Sequence, residues 1–393
     1  MNSDILNTEI QDFISDNLNT EPTSLVLRGS PFPHISIQKL VEQIEAKQKC
    51  KSKLPIWYAA KNIYYPNKLN IEQTSSEITA AYKSELVSGK SLIDITGGFG
   101  VDTYYFSKQI DEVVHCEINT ELSEIVSHNN NQLQISNVET IALNGIDYLR
   151  SNNKNYNWIY IDPSRRHNSK GKVFMLKDCI PNVPEHLNTF FTYADNILIK
   201  TSPLLDISLG LKELTGVKEI QIVAVNNEVK ELLWLLRKGY DNDIRITAAN
   251  IKKDSKDVFS FLRHHEAAAK IELSQPLTYL YEPNAAILKS GGFNSVATDL
   301  GLTKIHMHSH LYTSNQRVAF PGRCFKIETV YSFSKKEMKA LTKSQANITT
   351  RNFPESVKDI RRKYKIKDGG SNYLFFTTDH QNNRIIIKCT KPN

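Results

Sequence analysis

Apolar positions recur at helical spacing over residues 1–88. Ile37, Leu40, Val41 and Ile44 stand at i, i+3, i+4 and i+7, which predicts an amphipathic helix. Thr74-Ser75-Ser76-Glu77 reads as a capping box opening a helix through Ile78, Ala81, Tyr82 and Leu86 that stops at Gly89. From Ser91 the period changes. Short apolar runs at Leu92–Thr96, Glu112–Glu117, Glu139–Leu143, Trp158–Asp162, Asn196–Lys200 and Glu219–Val225 read as strands. Thr120–Asn129 and Glu228–Arg237 read as helices between such strands. Repeated strand–helix units at this spacing predict an α/β domain, a doubly wound Rossmann-like parallel sheet covered on both faces. Ile244–Ile251 and Val258–Phe261 would close it as an antiparallel edge.

The alternation fades near Ala267-Ala268-Ala269-Lys270. Leu277–Tyr281, Pro283–Leu300 and Ile305–Leu311 then suggest a small β-α-β unit. After Pro321-Gly322-Arg323 come strands at Phe325–Phe333 and Tyr373–Thr377 and helices at Lys335–Leu341 and Pro354–Tyr364. The expected division is a helical region over 1–88, the α/β domain over 89–268 and two small α+β modules over 269–320 and 321–393.

The chain has 393 residues, 40% hydrophobic and 23% charged, the balance of a soluble protein with several cores. No run approaches the eighteen or so apolar residues of a membrane span. Met1-Asn2-Ser3-Asp4-Ile5 is polar and acidic, unlike the basic start of a signal peptide, so a cytoplasmic protein is expected. Cys50, Cys116, Cys179, Cys324 and Cys389 are scattered with no CxxC spacing, which argues against disulfides or a zinc site. The net charge of +7 is unevenly spread. Residues 323–393 hold 16 Lys and Arg against 6 Asp and Glu, a net of +10, which leaves −3 for the remainder. A basic terminal module is a plausible footprint for a polyanion, although a solvated basic surface reads the same way.

Four features fall at the carboxyl ends of successive expected strands, where open α/β sheets bind ligands. Asp94-Ile95-Thr96-Gly97-Gly98-Phe99-Gly100-Val101-Asp102 is a glycine-rich turn that would let the backbone approach a nucleotide-like ligand. Glu117 ends the second strand, where a carboxylate can accept both hydroxyls of a ribose. Asp147 follows the third and can accept from an adenine amine, or cap a helix. Asp162-Pro163-Ser164-Arg165-Arg166 ends the fourth. A nicotinamide site would want a third small residue in the turn, and Thr103 stands beyond Asp102 instead.

Over residues 89–265 this order resembles class I S-adenosylmethionine-dependent methyltransferases. The resemblance implies S-adenosyl-L-methionine as cofactor, held by Asp94, Gly97, Gly98, Gly100, Asp102, Glu117, Asp147 and Asp162. Asp162-Pro163-Ser164-Arg165 looks like the Asp-Pro-Pro-Arg or Asp-Pro-Pro-Tyr motif of nucleic-acid methyltransferases. It implies that Pro163, Ser164, Arg165 and Arg166 meet the substrate, the arginines gripping a phosphate, with Asp162 and Lys200 as catalytic groups. Arg165 stands where enzymes methylating exocyclic amines place an aromatic residue. Uracil C5 methyltransferases need a nucleophilic cysteine after the fifth strand, but Thr201-Ser202-Pro203 follows here. Cys179, in an expected surface helix or loop, is a poor substitute.

Gln73 to Ser76 lie where such enzymes often lay a lid over the cofactor. Tyr281-Glu282-Pro283-Asn284-Ala285-Ala286-Ile287 and Arg351-Asn352-Phe353-Pro354 resemble segments of a bacterial methyltransferase family. Its catalytic domain is followed by a ferredoxin-like module, here 269–320, and a THUMP-like module, here 321–393. THUMP domains are associated with RNA, so the resemblance implies RNA as partner. Lys358, Arg361, Arg362, Lys363, Lys365 and Lys367, near Tyr364 and Tyr373, suit phosphate contacts and stacking. His306-Met307-His308-Ser309-His310 would face one side of a strand, but lacks acidic or cysteine partners nearby, so no metal is expected. The reading is a methyltransferase acting on RNA. Methylation of a small molecule or protein, or RNA binding without turnover, are the alternatives. Sequence leaves the oligomeric state and the methylated atom open.

Overall fold

The computed structural model describes residues 1–165 and 175–392, and for Arg165 the backbone alone. The chain folds into two compact units, residues 1–218 with 232–241 and residues 219–231 with 242–393.

In the first unit the strands β1 (Ser91–Asp94), β2 (Glu112–Cys116), β3 (Val138–Ile141) and β4 (Tyr156–Ile161) match four of the expected apolar runs. Two short strands, β5 (Ser164–Arg165) and β6 (Cys179–Ile180), pair antiparallel. Next come β7 (Ala194–Thr201), β8 (Val217–Val225) and β9 (Glu228–Arg237). The order β3-β2-β1-β4-β7 is parallel throughout, and residues 232–237 of β9 run antiparallel to β7. Strand order reverses between β1 and β4. The crevice of a doubly wound sheet opens at that switch point, so Asp94 and Asp162 end neighbouring strands there.

Glu228–Arg237 is a strand, not the expected helix. Its 3.6-residue pattern is an accident of a buried run, Glu231 to Leu236, that is covered on both faces. The decisive signal is Asn226-Asn227. Both take left-handed φ, +50° and +67°, which a type I′ reversal requires.

The N-terminal helices form part of this unit. Ser36 caps the helix Ile37–Lys53, whose buried Leu40 and Ile44 join Trp57, Tyr64 and Tyr65 in one hydrophobic cluster. That cluster also takes in Phe99, Val101 and Tyr104 from the turn and helix following β1, and Leu122, Ile125 and Val126 from the helix following β2. The helix expected from Thr74 starts instead at Glu77 and ends at Ser84. Ser76 caps it, because Glu77 turns away to accept from Ile56 N–H (2.6 Å) and the Tyr105 hydroxyl (3.2 Å).

In the second unit, β8 runs parallel to β10 (Arg245–Ile251), which pairs antiparallel with β11 (Lys256–Leu262), the expected edge. The rest of the unit is a seven-stranded sheet. Its strands are β12 (Tyr279–Pro283), β13 (Thr303–Lys304), β14 (Tyr312–Ser314), β15 (Gly322–Ser332), β16 (Asn347–Arg351), β17 (Tyr373–Thr378) and β18 (Arg384–Thr390). They lie in the order β13-β14-β12-β15-β18-β17-β16. Residues 305–311, expected as a strand, form a turn, so the three histidines share no strand face. His306 is a pin: its Nδ1 accepts from His308 N–H (3.0 Å) and from Asn352 Nδ2 (3.0 Å), and its Nε2 donates to Asn382 Oδ1 (3.2 Å).

Candidate active site

The glycine turn leaves β1 at Asp94 and folds back over β2. Asp94 is buried and accepts from Thr96 N–H (3.0 Å) and the Thr103 hydroxyl (3.0 Å), tying the start of the turn to the helix Val101–Phe106. Burial pushes its carboxyl up to about 7, against the Thr96 amide, with Asp102 and Asp162 adding in the same direction. Gly97 lies on the ring of His115, Asp94's register partner on β2. A Cβ at Gly97 would fall 2.2 Å from His115 Nε2, so no larger residue fits. Gly98 takes φ +56° into open space, with nothing closer to its would-be Cβ than Thr96 O at 3.8 Å. The turn therefore packs inward at Gly97 and stays clear at Gly98.

Glu117 stands just past β2. Its Oε2 accepts from Gly98 N–H (2.9 Å) and its Oε1 from Asn119 N–H (2.8 Å). A carboxylate has about four lone-pair positions, so each oxygen keeps one for a ligand. Gly100 caps the helix Val101–Phe106. Asp147 is exposed at the third position of the helix Gly145–Asn152, which Asn144 caps by accepting from Ile146 and Asp147 N–H. A cavity of about 240 Å³ lies between Ile95 of the turn, Asn144 and Ile146 at the start of this helix, and the segment 180–186, which contributes Glu185 and His186 to its wall. Apolar walls at Ile95, Ile146, Ile180 and Pro181 with a few polar groups, Asn144, Asn182, Glu185 and His186, suit a planar heterocycle.

Asp102 points inward. It accepts from Tyr160 Oη (2.7 Å) and Ser75 Oγ (2.8 Å) and pairs with the buried Lys83 (3.2 Å). Burial alone would raise its carboxyl, but Lys83 and Lys200, then the two hydroxyls, hold it below the usual range. Ser75, expected in a lid, is thus an interior link between the N-terminal helices and the turn. Lys83→Met should cost about 3–5 kcal/mol of unfolding free energy in urea denaturation, since Asp102 would be left buried and unpaired.

At the end of β4, Asp162 is half-buried. Its N–H donates to Thr96 Oγ1 (2.7 Å) and its carboxylate pairs with Lys200 of β7, joining the two residues expected to be catalytic. Pro163 is buried and Ser164 exposed, while Arg166 lies outside the described residues. Cys179 is fully buried, not on the surface, because β6 carries it inward opposite Arg165. With Ser202 and Pro203 after β7, no thiol stands at the strand end that a nucleophilic mechanism would use. Among the described residues no group of three metal ligands forms, and no helix is long and apolar enough to cross a membrane.

Residues 279–321 match a ferredoxin-like domain model and residues 322–391 a THUMP domain-like model. A solved structure of a protein from Porphyromonas gingivalis W83, assigned as a methyltransferase, is 31% identical. The match covers 100% of this chain and 99% of that one, with a TM-score of 0.90. The chain belongs to this methyltransferase family. An rRNA methylase from Streptococcus thermophilus is 15% identical over 41% of this chain and 94% of its own, with a TM-score of 0.30. A protein from Streptococcus mutans, assigned as a methyltransferase and solved with SAH, is 14% identical over 41% and 96%, with a TM-score of 0.31. Neither partial overlap bears on chemistry. No curated protein matches the sequence. The family's fold accounts for the crevice at the switch point and for the glycine turn beside it.

The spacing of glycines and carboxylates makes the turn, Glu117, Asp162 and Lys200 legible in sequence. It misses Thr96, Thr103, Lys83 and Tyr160, which join the turn to its surroundings. Asn144-Gly145 after β3 could have located the cavity's rim. The wall at Ile180–Asn182 carries no such signal.

Proposed function

We propose that the protein transfers methyl groups from S-adenosylmethionine to RNA. The observation that carries the donor is Glu117, whose carboxylate holds the Gly98 amide and keeps acceptor capacity on both oxygens at the end of β2. The group fits these residues: Glu117 would take the ribose hydroxyls, the slot between Ile95, Ile146 and Pro181 the heterocycle, and the clear backbone at Gly98 the methionine part. S-adenosylmethionine supplies a methyl on an activated sulfonium, so positioning and exclusion of water provide much of the acceleration. Asp162, oriented by Lys200, accepts a hydrogen bond from the acceptor group and aligns it. Pro163, Ser164 and Arg165 border the same crevice end and are the substrate-side candidates.

RNA is favoured by the +10 charge of residues 323–393 and by their THUMP-like match. The basic run on the helix Val357–Tyr364 is less open than its sequence suggests. Arg361 pairs with Asp368, Arg362 with Asp359 and Lys363 with Glu355. Transfer of labelled methyl into RNA, protein and metabolite fractions from a strain lacking the gene tests the reading. Label should enter RNA, and Asp162→Ala should reduce it at least about 100-fold. Label in protein or metabolites alone, or in no fraction, would sink the RNA assignment.

A further inference from the structure

Two arginines at the mouth of the second unit's curled sheet are held by one buried carboxylate. β12 and β16 are four steps apart in the order β12-β15-β18-β17-β16. In a flat sheet that separation is about 19 Å. Yet Arg351, at the end of β16, donates to Glu282 on β12, from Nη2 at 2.9 Å and Nε at 3.3 Å. The sheet must therefore curl until its two sides face each other. The shift in register between Ile327 and Thr329 on β15 is where such a bend is expected. Leu280, Phe325, Phe375, Ile385 and Ile387 fill the concave side. Glu282, Arg323, Thr349 and Arg351 continue the same rows of side chains to the rim.

Glu282 Oε1 takes Arg351, and Oε2 takes Arg323 through Nε (2.7 Å) and Nη2. The carboxylate is only 5% exposed, whereas the Arg323 and Arg351 side chains are 51% and 33% exposed. Arg323 is further fixed over the Phe325 ring (5.4 Å) and by Thr349 Oγ1 (3.5 Å). Bonding through Nε and Nη2 leaves the Nη1 edge of each guanidinium without a hydrogen-bond partner among the described residues. One buried negative charge thus orients two positive forks outward, for a net charge of +1. Paired planar forks match the oxygens of a phosphate.

We propose that Arg323 and Arg351, braced by Glu282, bind a phosphate group, which on the RNA reading above is a backbone phosphodiester of the substrate. Glu282 is the positioning residue. The motifs Tyr281–Ile287 and Arg351–Pro354 thereby acquire a common purpose.

The test uses the full chain, a labelled single-stranded RNA of roughly 12 nucleotides, and pyrophosphate as a separate probe. Hydrogen exchange on the unaltered protein should show RNA protecting residues 322–325 and 349–352. R323Q and R351Q should each weaken RNA binding at least about fivefold. Each should also lower the slope of log affinity against log salt by about 0.7, one phosphate contact on a single strand. Single substitutions leave Glu282 one partner, and the exchange experiment needs no substitution at all. Protection by pyrophosphate but not RNA would keep the phosphate site and remove RNA as its source. RNA binding with no protection there and unchanged variants would overturn the site but leave RNA methylation standing. Absence of protection by either probe overturns it outright.

Discussion

Glu117→Ala is expected to abolish measurable S-adenosylmethionine binding, raising Kd at least about 100-fold in calorimetry. Two hydrogen bonds from a ribose to a carboxylate are worth about 1.5–3 kcal/mol each, and every 1.4 kcal/mol is a factor of ten. The substitution also frees the Gly98 amide, so the turn loses the contact that closes it onto β2. Gly98→Val approaches the same site from the other side. It sets a branched side chain at φ +56° in the space beside the turn, so binding should fail there too. Intact binding in both variants would refute the assignment of this turn to the cofactor.

Asp94→Asn should expose a pH dependence that the wild-type protein hides. Burial raises Asp94 to about 7 and lowers His115, its register partner, to about 4. A raised acid binds more protons folded than unfolded, so its contribution is present below about pH 4 and is lost as pH rises to about 7. A lowered histidine binds fewer protons folded, so its contribution is present above about 6.5 and is lost as pH falls to about 4. Over that window the two slopes oppose and the wild-type curve should be nearly flat. With Asp94 replaced, the histidine slope dominates, and unfolding free energy should fall by about 2 kcal/mol from pH 6.5 to pH 4.5. Urea denaturation of both proteins across that range checks it. An equally flat curve for the variant would mean that His115 is not held neutral.

The parallel sheet was readable because its strands are short apolar runs ending in chemistry-bearing residues, as at Asp94, Glu117 and Asp162. Glu228–Arg237 was not, since a strand covered on both faces leaves no alternation and the reversal lies in two asparagines. The capping motif at Thr74 misled because Glu77 is drawn to Ile56 and Tyr105, tertiary partners that local spacing cannot reveal. Within the site, residues that would face a ligand were legible. Residues that hold those in place, Thr103, Lys83 and His115, were not, because their roles depend on which strands become neighbours.

Strand β15 has a consequence for inheritance. The ferredoxin-like match ends at residue 321 and the THUMP-like match begins at 322, where β15 starts. Residues 322–326 pair with β12 of the first segment, and residues 326–332 pair with β18 of the second. A chain cut at that junction would strip β12 of a neighbour and leave an open edge prone to aggregation. The two segments are therefore halves of one folding object, and gene fusion or truncation at their border should be selected against. Any lineage that keeps one should keep both.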